Sequence, residues 1–256
     1  MEQLKIDELV KLYEENKELQ MVLRKLSHEM GNALTLLGAS IFYLETEITN
    51  VNSKCDISDL KNDYTYICNL FRELREYNHT EAIVKKEVEI GKIINVIENS
   101  YSRMPGSDNI SLLIHRQDNI DKKKVYIDKT KIYQVFINIL KNSIDALNDK
   151  IMEKNIDKRI DVTVKSAPIL HGAVLEINNL KVTEILNIEI RDNGKGIDDK
   201  IINKIFQPMF TFGKENGTGL GLSIVKKIIE DHNGKIEAVS VLGTGTAINI
   251  YIPILN

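Results

Sequence analysis

The sequence has no tryptophan, only four prolines and only two cysteines among its 256 residues. Cys55 and Cys68 lack the spacing of a zinc site and are too few to cross-link a fold of this size, so we expect reduced thiols. No apolar run approaches the length that crosses a bilayer, and the charged start MEQLKIDELV is unlike a signal peptide. We therefore expect a cytoplasmic chain, either complete or the cytoplasmic part of a longer protein.

A strong excess of charge of one sign is also missing. The 34 basic and 37 acidic residues give a formal net charge of −3. This balance does not favour binding to nucleic acid or to an anionic membrane surface. Apolar residues make up 43% of the chain, which is enough for the core of one large domain or of two smaller ones.

The first part of the chain has the apolar periodicity of long helices. From Leu19 to Ile48 apolar residues recur every three or four positions, so we expect one helix from residue 2 to about residue 50. The polar stretch 50–58 is interpreted as a connection and residues 58–78 as a second helix, with Ser58 as its cap. Two antiparallel helices cannot bury two apolar stripes by themselves. We therefore expect a homodimer that pairs two hairpins into a four-helix bundle.

The segment KLSHEMGNALTLL, residues 25–37, places a histidine within the first helical pattern. His28 is two residues from both Leu26 and Met30, which is roughly 200° around the axis because each residue turns by about 100°. It is therefore expected to point away from the apolar seam, which disfavours a core histidine. An exposed histidine without a function and a histidine presented to a partner both stay open at this point.

From about residue 86 the pattern changes to alternating strands and helices. The predicted strands are VEI, ISLLIHR, KVYI, RIDVTVKS and ILNIEIRD, the predicted helices are GKIINVIENSYSRM, 128–149 and 220–232, and a final hairpin turns at LGTG. The segment 167–184 is longer than a simple strand connection and predicts an extra hairpin. Residues 86–256 are thus expected to form an α/β sandwich with a mixed sheet.

Three segments of this second region are candidates for a ligand site. Asn138 and Asn142 lie four residues apart on one helix face, and carboxamide oxygens suit a hard cation such as Mg²⁺. Asp192 follows a strand, where its carboxylate could accept a hydrogen bond from the amine of adenine but not from the oxygen of guanine. GTGLGLS opens a helix with glycines, whose N–H groups favour phosphate. Taken singly, the asparagine pair is better explained by a solvated helix face and Asp192 by a turn, and a lone glycine cluster is weak evidence.

Together, the order and spacing of these segments resemble the sensor histidine kinases of two-component signalling, whose catalytic domain has the Bergerat fold. NILKNSIDA is similar to the N box of that family, DNGKGI to its first glycine box, IFQPMFTF to its F box and GTGLGLS to its second glycine box. SHEMGN lies upstream, where the family carries its phosphoacceptor box. The resemblance covers nearly the whole chain. It implies dimerisation and histidine phosphotransfer helices over residues 1–80 and a catalytic ATP-binding domain over residues 86–256.

The resemblance also implies a role for each matching residue. His28 would accept the γ-phosphoryl group of ATP, Glu29 would orient or deprotonate its imidazole, and Asn32 would position a water that dephosphorylates the partner. Asn142 and Asn138 would hold Mg²⁺. The other nucleotide contacts that the resemblance implies are Lys141, Asp192, Gly194, Gly196, Phe206, Lys214, Gly217, Gly219 and Gly221.

The implied function is an ATP- and Mg²⁺-dependent protein-histidine kinase that phosphorylates itself on His28 and then a response regulator receiver domain on an aspartate. The alternatives are a histidine phosphotransfer protein with a degenerate ATPase-like domain, and a serine kinase or conformational ATPase of the same fold. Gly31 and Ala33 depart from the family, which has a basic or polar residue and a helix-bending proline there. The other histidines match no motif and are expected to be surface or structural residues: His79, His115, His171 and His232.

Overall fold

The structure is a computed structural model that describes residues 30–32, 34–46, 51–78, 83–149, 157–169, 175–177, 180–182, 184–211 and 218–255. The chain divides into two compact units. The first unit comprises Met1–Glu81 and Thr211–Leu220, and the second comprises Ala82–Phe210 and Gly221–Asn256. Within the described ranges, no helix combines the length and the apolar character that a membrane span requires.

The described part of the first unit contains two helices, α1 over residues 30–32 and 34–46 and α2 over Val51–Asn78. A Cβ atom at Gly38 of α1 would lie 2.3 Å from the Tyr64 hydroxyl of α2, so the glycine makes room for that ring. Farther along α1, Glu45 pairs with Lys61 of α2 at 2.8 Å. The two helices run antiparallel, because the earlier residue of α1 meets the later residue of α2.

The second helix begins earlier than the sequence predicts. We expected a connection over residues 50–58 with a cap at Ser58, but α2 begins at Val51. That prediction is wrong because it relied on Asn, Ser and Asp, which disfavour a helix interior only weakly. The stretch contains neither the glycine nor the proline that would end a helix. The part of the predicted first helix before residue 30 lies outside the described residues.

The second unit is built on a mixed sheet. Its strands are β1 (Lys86–Glu89), β2 (Ser111–Arg116), β3 (Lys124–Ile127), β4 (Arg159–Pro168), β7 (Glu184–Asp192), β8 (Lys235–Val241) and β9 (Gly245–Leu255), while β5 (Leu175–Ile177) and β6 (Leu180–Val182) form a separate hairpin. The strand order is β1-β3-β9-β7-β4-β2, and β8 pairs with β9 beside this path. β2 and β4 pair in parallel, and the other described pairs are antiparallel. The hairpin expected within 167–184 is confirmed by β5 and β6.

Helices cover the apolar face of this sheet. They are α3 (Ile90–Tyr101), α4 (Lys129–Asn148), the short α5 (Asp199–Ile202) and α6 (Gly221–Asp231), with a 3₁₀ helix at Ile120–Lys122. α4 packs against α3, α6 and β7. Along β4 and β7 every second side chain is buried, as the period of a strand requires. The predicted α/β sandwich with a mixed sheet is therefore confirmed.

Local signals fix the start of α4 and the end of α6, the two helices that border the candidate site. Asp128 precedes α4, and its side chain accepts from the backbone N–H groups of Thr130 at 2.9 Å and Lys131 at 3.2 Å. After α6, Asn233 has a left-handed φ of 57°. The N–H of Gly234 then donates to the Ile229 carbonyl oxygen at 2.9 Å, which closes the helix. Asp128 thus caps the start of α4, and Gly234 closes the end of α6.

His232 links these two helix ends. The N–H of Asp128 donates to Nε2 at 2.9 Å, and Nδ1 lies 2.6 Å from the carbonyl oxygen of Ile228. Since Nε2 accepts, the proton is on Nδ1, and the imidazole is neutral. Burial lowers the pKa of His232. The structural role expected for this histidine is confirmed.

Candidate functional site

Asp192 ends β7 as a buried carboxylate that is only 5% exposed. Its Oδ1 accepts from the backbone N–H groups of Gly194 at 2.9 Å and Thr246 at 3.3 Å. Ser143 of α4 also hydrogen-bonds to this carboxylate. Burial raises the pKa of Asp192, and these three hydrogen bonds oppose that rise. The site therefore holds a fixed hydrogen-bond acceptor with little access to water.

The turn after Asp192 approaches its neighbours so closely that it requires glycine. A Cβ atom at Gly194 would lie 3.0 Å from the backbone carbon of Ala146 on α4. Gly196 has a φ of +68°, and a Cβ there would lie 2.1 Å from the carbonyl oxygen of Val241. The two predicted glycines let the turn lie directly against α4 and against the end of β8.

The two asparagines of α4 are both half-buried. Asn138 donates from Nδ2 to the carbonyl oxygen of Gly221 at 3.3 Å, which ties α4 to the first residue of α6. Asn142 follows one helical turn later, and Lys141 beside it is exposed. The described residues contain no group of three His, Cys, Asp or Glu side chains that could bind a metal. The side-chain oxygens that Asn138 and Asn142 could offer to a cation are those of their carboxamides.

The F box packs mainly through Ile205, which is buried, whereas Phe206 is half-buried. In the second glycine box, Gly219 has a positive φ of 71°, and Gly221 begins α6. Lys214 and Gly217 lie outside the described residues. The nucleotide contacts predicted for the F box and the second glycine box accordingly stay predictions.

The phosphoacceptor segment lies at the edge of the described residues. His28 and Glu29 fall outside them, whereas Asn32 is exposed on α1. The predicted roles of these three residues rest on the sequence.

Three buried polar residues near Asp192 were missed from the sequence. Ser143 lies within the apolar stripe of α4, so a polar residue on a buried helix face was its signal. Thr246 is the cross-strand partner of Asp192, and Ser240 is the cross-strand partner of Thr246. These two could not be identified without the strand register.

Comparison with models of protein families identifies the family to which residues 127–256 are similar. A sequence model described as histidine kinase-, DNA gyrase B-, and HSP90-like ATPase matches residues 127–256. The matched range contains Asn138, Asn142, Asp192 and both glycine-rich segments. It therefore covers the whole arrangement around Asp192.

Two curated relatives illustrate the similarity along the chain. The sensor kinase CckA of Brucella abortus is 27% identical over 232 residues, which is 89% of this chain and 23% of CckA. The sensor protein kinase WalK of Staphylococcus aureus is 28% identical over 250 residues, which is 93% of this chain and 54% of that protein. The chain thus spans about a quarter of one relative and about half of the other.

Two solved structures share the fold. Full-length ShkA in complex with AMPPNP superposes with a TM-score of 0.67 at 17% identity, covering 91% of this chain and 46% of ShkA. The histidine kinase ThkA in complex with the response regulator TrrA gives a TM-score of 0.58 at 24% identity, covering 90% of this chain and 60% of that chain. At these identities the likeness shows a common fold.

Proposed function

Because this chain belongs to the histidine kinase-, DNA gyrase B- and HSP90-like ATPase family, we propose that it is an ATP-dependent protein-histidine kinase. It phosphorylates itself on His28 and passes the phosphoryl group to an aspartate of a response regulator. The observation that carries the proposal is the buried Asp192 carboxylate, which the turn at Gly194 holds against α4. The similarity to the sensor kinases CckA and WalK along most of the chain supports it.

Asp192 is the proposed adenine-reading residue. An ionised carboxylate only accepts hydrogen bonds, so it pairs with the exocyclic amine of adenine and not with the corresponding oxygen of guanine. The carboxylate is buried, so a base that presented an oxygen to it would bring two acceptors together with little access to water. The presence of the ATP analogue AMPPNP in ShkA, which shares the fold, is consistent with ATP as the ligand.

Mg²⁺ is the proposed metal, with Asn142 and Asn138 as its protein ligands. Carboxamide oxygens bind a hard cation without adding negative charge beside the phosphates. Mg²⁺ would neutralise charge on the triphosphate. Lys141, which is exposed one residue before Asn142, is proposed to contact phosphate, and Lys214 is proposed to contact the γ-phosphate.

Phosphoryl transfer is proposed to begin at the imidazole of His28. One ring nitrogen attacks the γ-phosphorus, the bond to the bridging oxygen breaks, and ADP leaves with the electron pair. Glu29 takes the imidazole proton. A neutral imidazole suits this step because its ordinary pKa lies near neutrality. The protein then contributes mainly by positioning the groups and neutralising charge.

The phosphoryl group is proposed to pass from His28 to the receiver domain of a response regulator. The ThkA structure, which shares the fold, contains a response regulator as the partner. We further propose that the same kinase dephosphorylates its regulator, with Asn32 positioning the water. We also propose that these reactions take place in the cytoplasm.

We propose that residues 1–80 form the dimerisation and phosphotransfer helices and residues 86–256 the catalytic domain. Met30, Leu37 and Leu44 on α1 are spaced by seven residues, as are Leu60 and Ile67 on α2. All five side chains are between 40% and 46% exposed in the single chain. Two such rows are typical of the seam of a four-helix bundle, which supports the proposal of a homodimer.

The alternatives fit these observations less well. In a phosphotransfer protein that has lost nucleotide binding, nothing would require the buried carboxylate of Asp192 or the pair Asn138 and Asn142. A serine kinase of this fold would not need a histidine-bearing helical hairpin. Measured ATP binding distinguishes the first alternative, and the acid stability of the phosphorylated protein distinguishes the second.

The decisive experiment is autophosphorylation with labelled ATP and Mg²⁺. We expect an acid-labile, alkali-stable phosphoryl group in the parent chain and none in His28→Gln, since glutamine has no nucleophilic nitrogen. His115→Gln, at a histidine exposed on β2, is the matched control and should label like the parent. Undiminished labelling of His28→Gln, or an acid-stable product, would contradict the proposal. ATP binding by His28→Gln should persist.

A further inference from the structure

Three polar side chains form a row across the sheet at one end of its buried face. Asp192 on β7 lies opposite Thr246 on β9, and Thr246 lies opposite Ser240 on β8. Directly opposed residues point to the same face of a sheet. All three are buried, with exposed fractions of 5%, 9% and 8% for Asp192, Thr246 and Ser240. Each therefore needs its hydrogen bonds within the protein or from a ligand.

The hydroxyl of Ser240 is fully engaged. It accepts from the backbone N–H of Ile197 at 2.8 Å. It donates to the carbonyl oxygen of Gly245 at 2.9 Å. Its oxygen also lies 2.9 Å from Oγ1 of Thr246.

The number of protons decides the direction of the bond between the two hydroxyls. A hydroxyl group has one proton and two lone pairs. Ile197 N–H can only donate, and the Gly245 carbonyl can only accept. Only one arrangement lets all three contacts of Ser240 be hydrogen bonds at the same time. In it, Thr246 donates its proton to Ser240. The oxygen of Thr246 then has only lone pairs left for a ligand.

We propose that Ser240 is a positioning residue for base selection, because it holds the Thr246 hydroxyl as a second acceptor beside Asp192. Two adjacent acceptors favour a purine with an amine, reached directly or through one bound water, and disfavour a purine with an oxygen at that place. The inference rests on the proposed function of Asp192 as the residue that reads adenine. The inference adds Ser240 to the proposed nucleotide site as a residue that does not itself contact the nucleotide.

The test compares ATP with ITP, which has an oxygen where ATP has the amine. Dissociation constants of both nucleotides are measured with Mg²⁺ on the same preparation of the full chain, so the folded fraction cancels in their ratio. In Ser240→Ala the Thr246 hydroxyl is free to turn and donate to the oxygen of ITP. We expect the preference for ATP over ITP to fall by about 3- to 10-fold, the range for one neutral hydrogen bond.

Two further variants separate positioning from loss of structure. Ser240→Thr keeps the hydroxyl and should retain the preference. Ser100→Ala removes an equally buried serine whose hydroxyl donates to Val96 at 2.6 Å within α3, away from this row. It should leave the preference unchanged, because only a change in the row alters the acceptors.

A double-mutant cycle tests the proposed route through Thr246. Thr246→Val removes the hydroxyl while keeping the branched shape and should lower the preference to a similar extent. Adding Ser240→Ala to Thr246→Val should then have no further effect. If Ser240→Ala does not fold, an unchanged preference in Thr246→Val overturns the inference by itself.

The outcomes distinguish this inference from the proposed function. If Ser240→Ala keeps the parent preference, or lowers it equally in the Thr246→Val background, the inference is wrong. If the inference fails in this way while Asp192→Asn weakens ATP binding in the same series, the proposed nucleotide site is supported and only the role of Ser240 is wrong. If Asp192→Asn binds ATP like the parent, the proposed site itself fails.

Discussion

At the scale of single residues, folding makes ionisation of the Asp192 carboxyl less favourable than it is in the unfolded chain. Burial is the largest influence on its carboxyl, and it raises the pKa despite the hydrogen bonds from Gly194, Ser143 and Thr246. A group whose pKa is raised on folding stabilises the fold when it is protonated. That contribution is lost as the pH rises through the raised value. At neutral pH the ionised carboxylate therefore costs stability, which its proposed role as an acceptor for adenine explains.

Asp192→Asn should separate these two effects. The amide oxygen can still accept from Gly194 and Thr246, and the buried charge is gone. We expect the nucleotide-free protein to unfold at a higher urea concentration at pH 7, with a smaller gain at acidic pH, where the parent carboxyl is itself protonated. ATP affinity should fall about 10- to 100-fold, because a hydrogen bond to a charged group contributes roughly 1.5–3 kcal/mol.

Urea unfolding and calorimetric ATP binding check these expectations. Asp199→Asn, at an exposed carboxylate in the first turn of α5, is the control and should change neither quantity. Unchanged ATP affinity in Asp192→Asn would remove this residue from the nucleotide site.

His232 predicts a pH dependence of the opposite sign. Burial is the main cause that lowers its pKa, with a contribution from Lys85, while the bond to Ile228 and the charges of Asp128 and Asp231 oppose it. A group whose pKa is lowered on folding contributes stability above its unfolded value, about 6.5. That stability is lost as the pH falls through the lowered folded value.

We therefore expect the free energy of unfolding to decrease between pH 7.5 and pH 5 partly through His232. His232→Gln is neutral throughout and should show a flatter pH dependence, because glutamine can still accept from Asp128. His115→Gln, which removes an exposed histidine, is the control substitution. Urea titrations at several pH values measure the slopes, and equal slopes for the parent and His232→Gln would show that this imidazole does not contribute.

The residues of the candidate site were only partly predictable from the sequence. Asp192, Gly194 and Gly196 stand out because turn chemistry and glycine spacing are local. Thr246 and Ser240 carry no local signal. Thr246 is 54 positions from Asp192 along the chain, and only the register of β7, β8 and β9 brings the three together.

At the scale of helices and strands, periodicity predicted most of the second unit. KVYI became β3, and the helix predicted over 128–149 is α4 with one residue fewer at each end, because Asp128 is its cap. The four-residue α5 was missed, since a single turn has no periodicity. The predicted start of α2 was wrong, because residues with weak helix propensity are not enough to end a helix.

Helical spacing also carries the proposal for Asn32. Residues four apart in a helix lie on one face, about 6 Å apart along the axis, which places Asn32 one turn after His28 in the sequence. Asn32 is exposed on α1, and its carboxamide can both donate to and accept from a water. A water held there could attack the phosphorylated aspartate of a bound regulator.

Asn32→Ala should therefore slow dephosphorylation of the regulator, because the hydrolytic water loses the carboxamide that positions it. Autophosphorylation and phosphotransfer need no hydrolytic water and should be retained. The measurement is the decay of the phosphorylated regulator with parent or variant kinase and ADP. Thr35→Ala, at another exposed position of α1, is the control. Equal decay with parent and Asn32→Ala would exclude the residue from this step.

At the scale of the whole molecule, we propose that the half-exposed apolar rows of α1 and α2 pack against a second copy of the chain. A single hairpin leaves Met30, Leu37, Leu44, Leu60 and Ile67 between 40% and 46% exposed. In a symmetric dimer each substitution acts twice. Burying a leucine contributes roughly 1.5–3 kcal/mol, so replacing Leu37 by a charged residue should weaken association by more than about 100-fold.

We expect the parent chain to be a dimer by size-exclusion chromatography with light scattering, and Leu37→Glu and Ile67→Glu to shift it to monomer at the same concentration. Leu36→Glu is the matched control, because Leu36 is adjacent but outside the row and already 72% exposed. It should remain dimeric. ATP binding should persist in all three variants, since Asp192 and its partners belong to the other unit. A monomeric parent, or a dimeric Leu37→Glu, would show that these rows are not the interface.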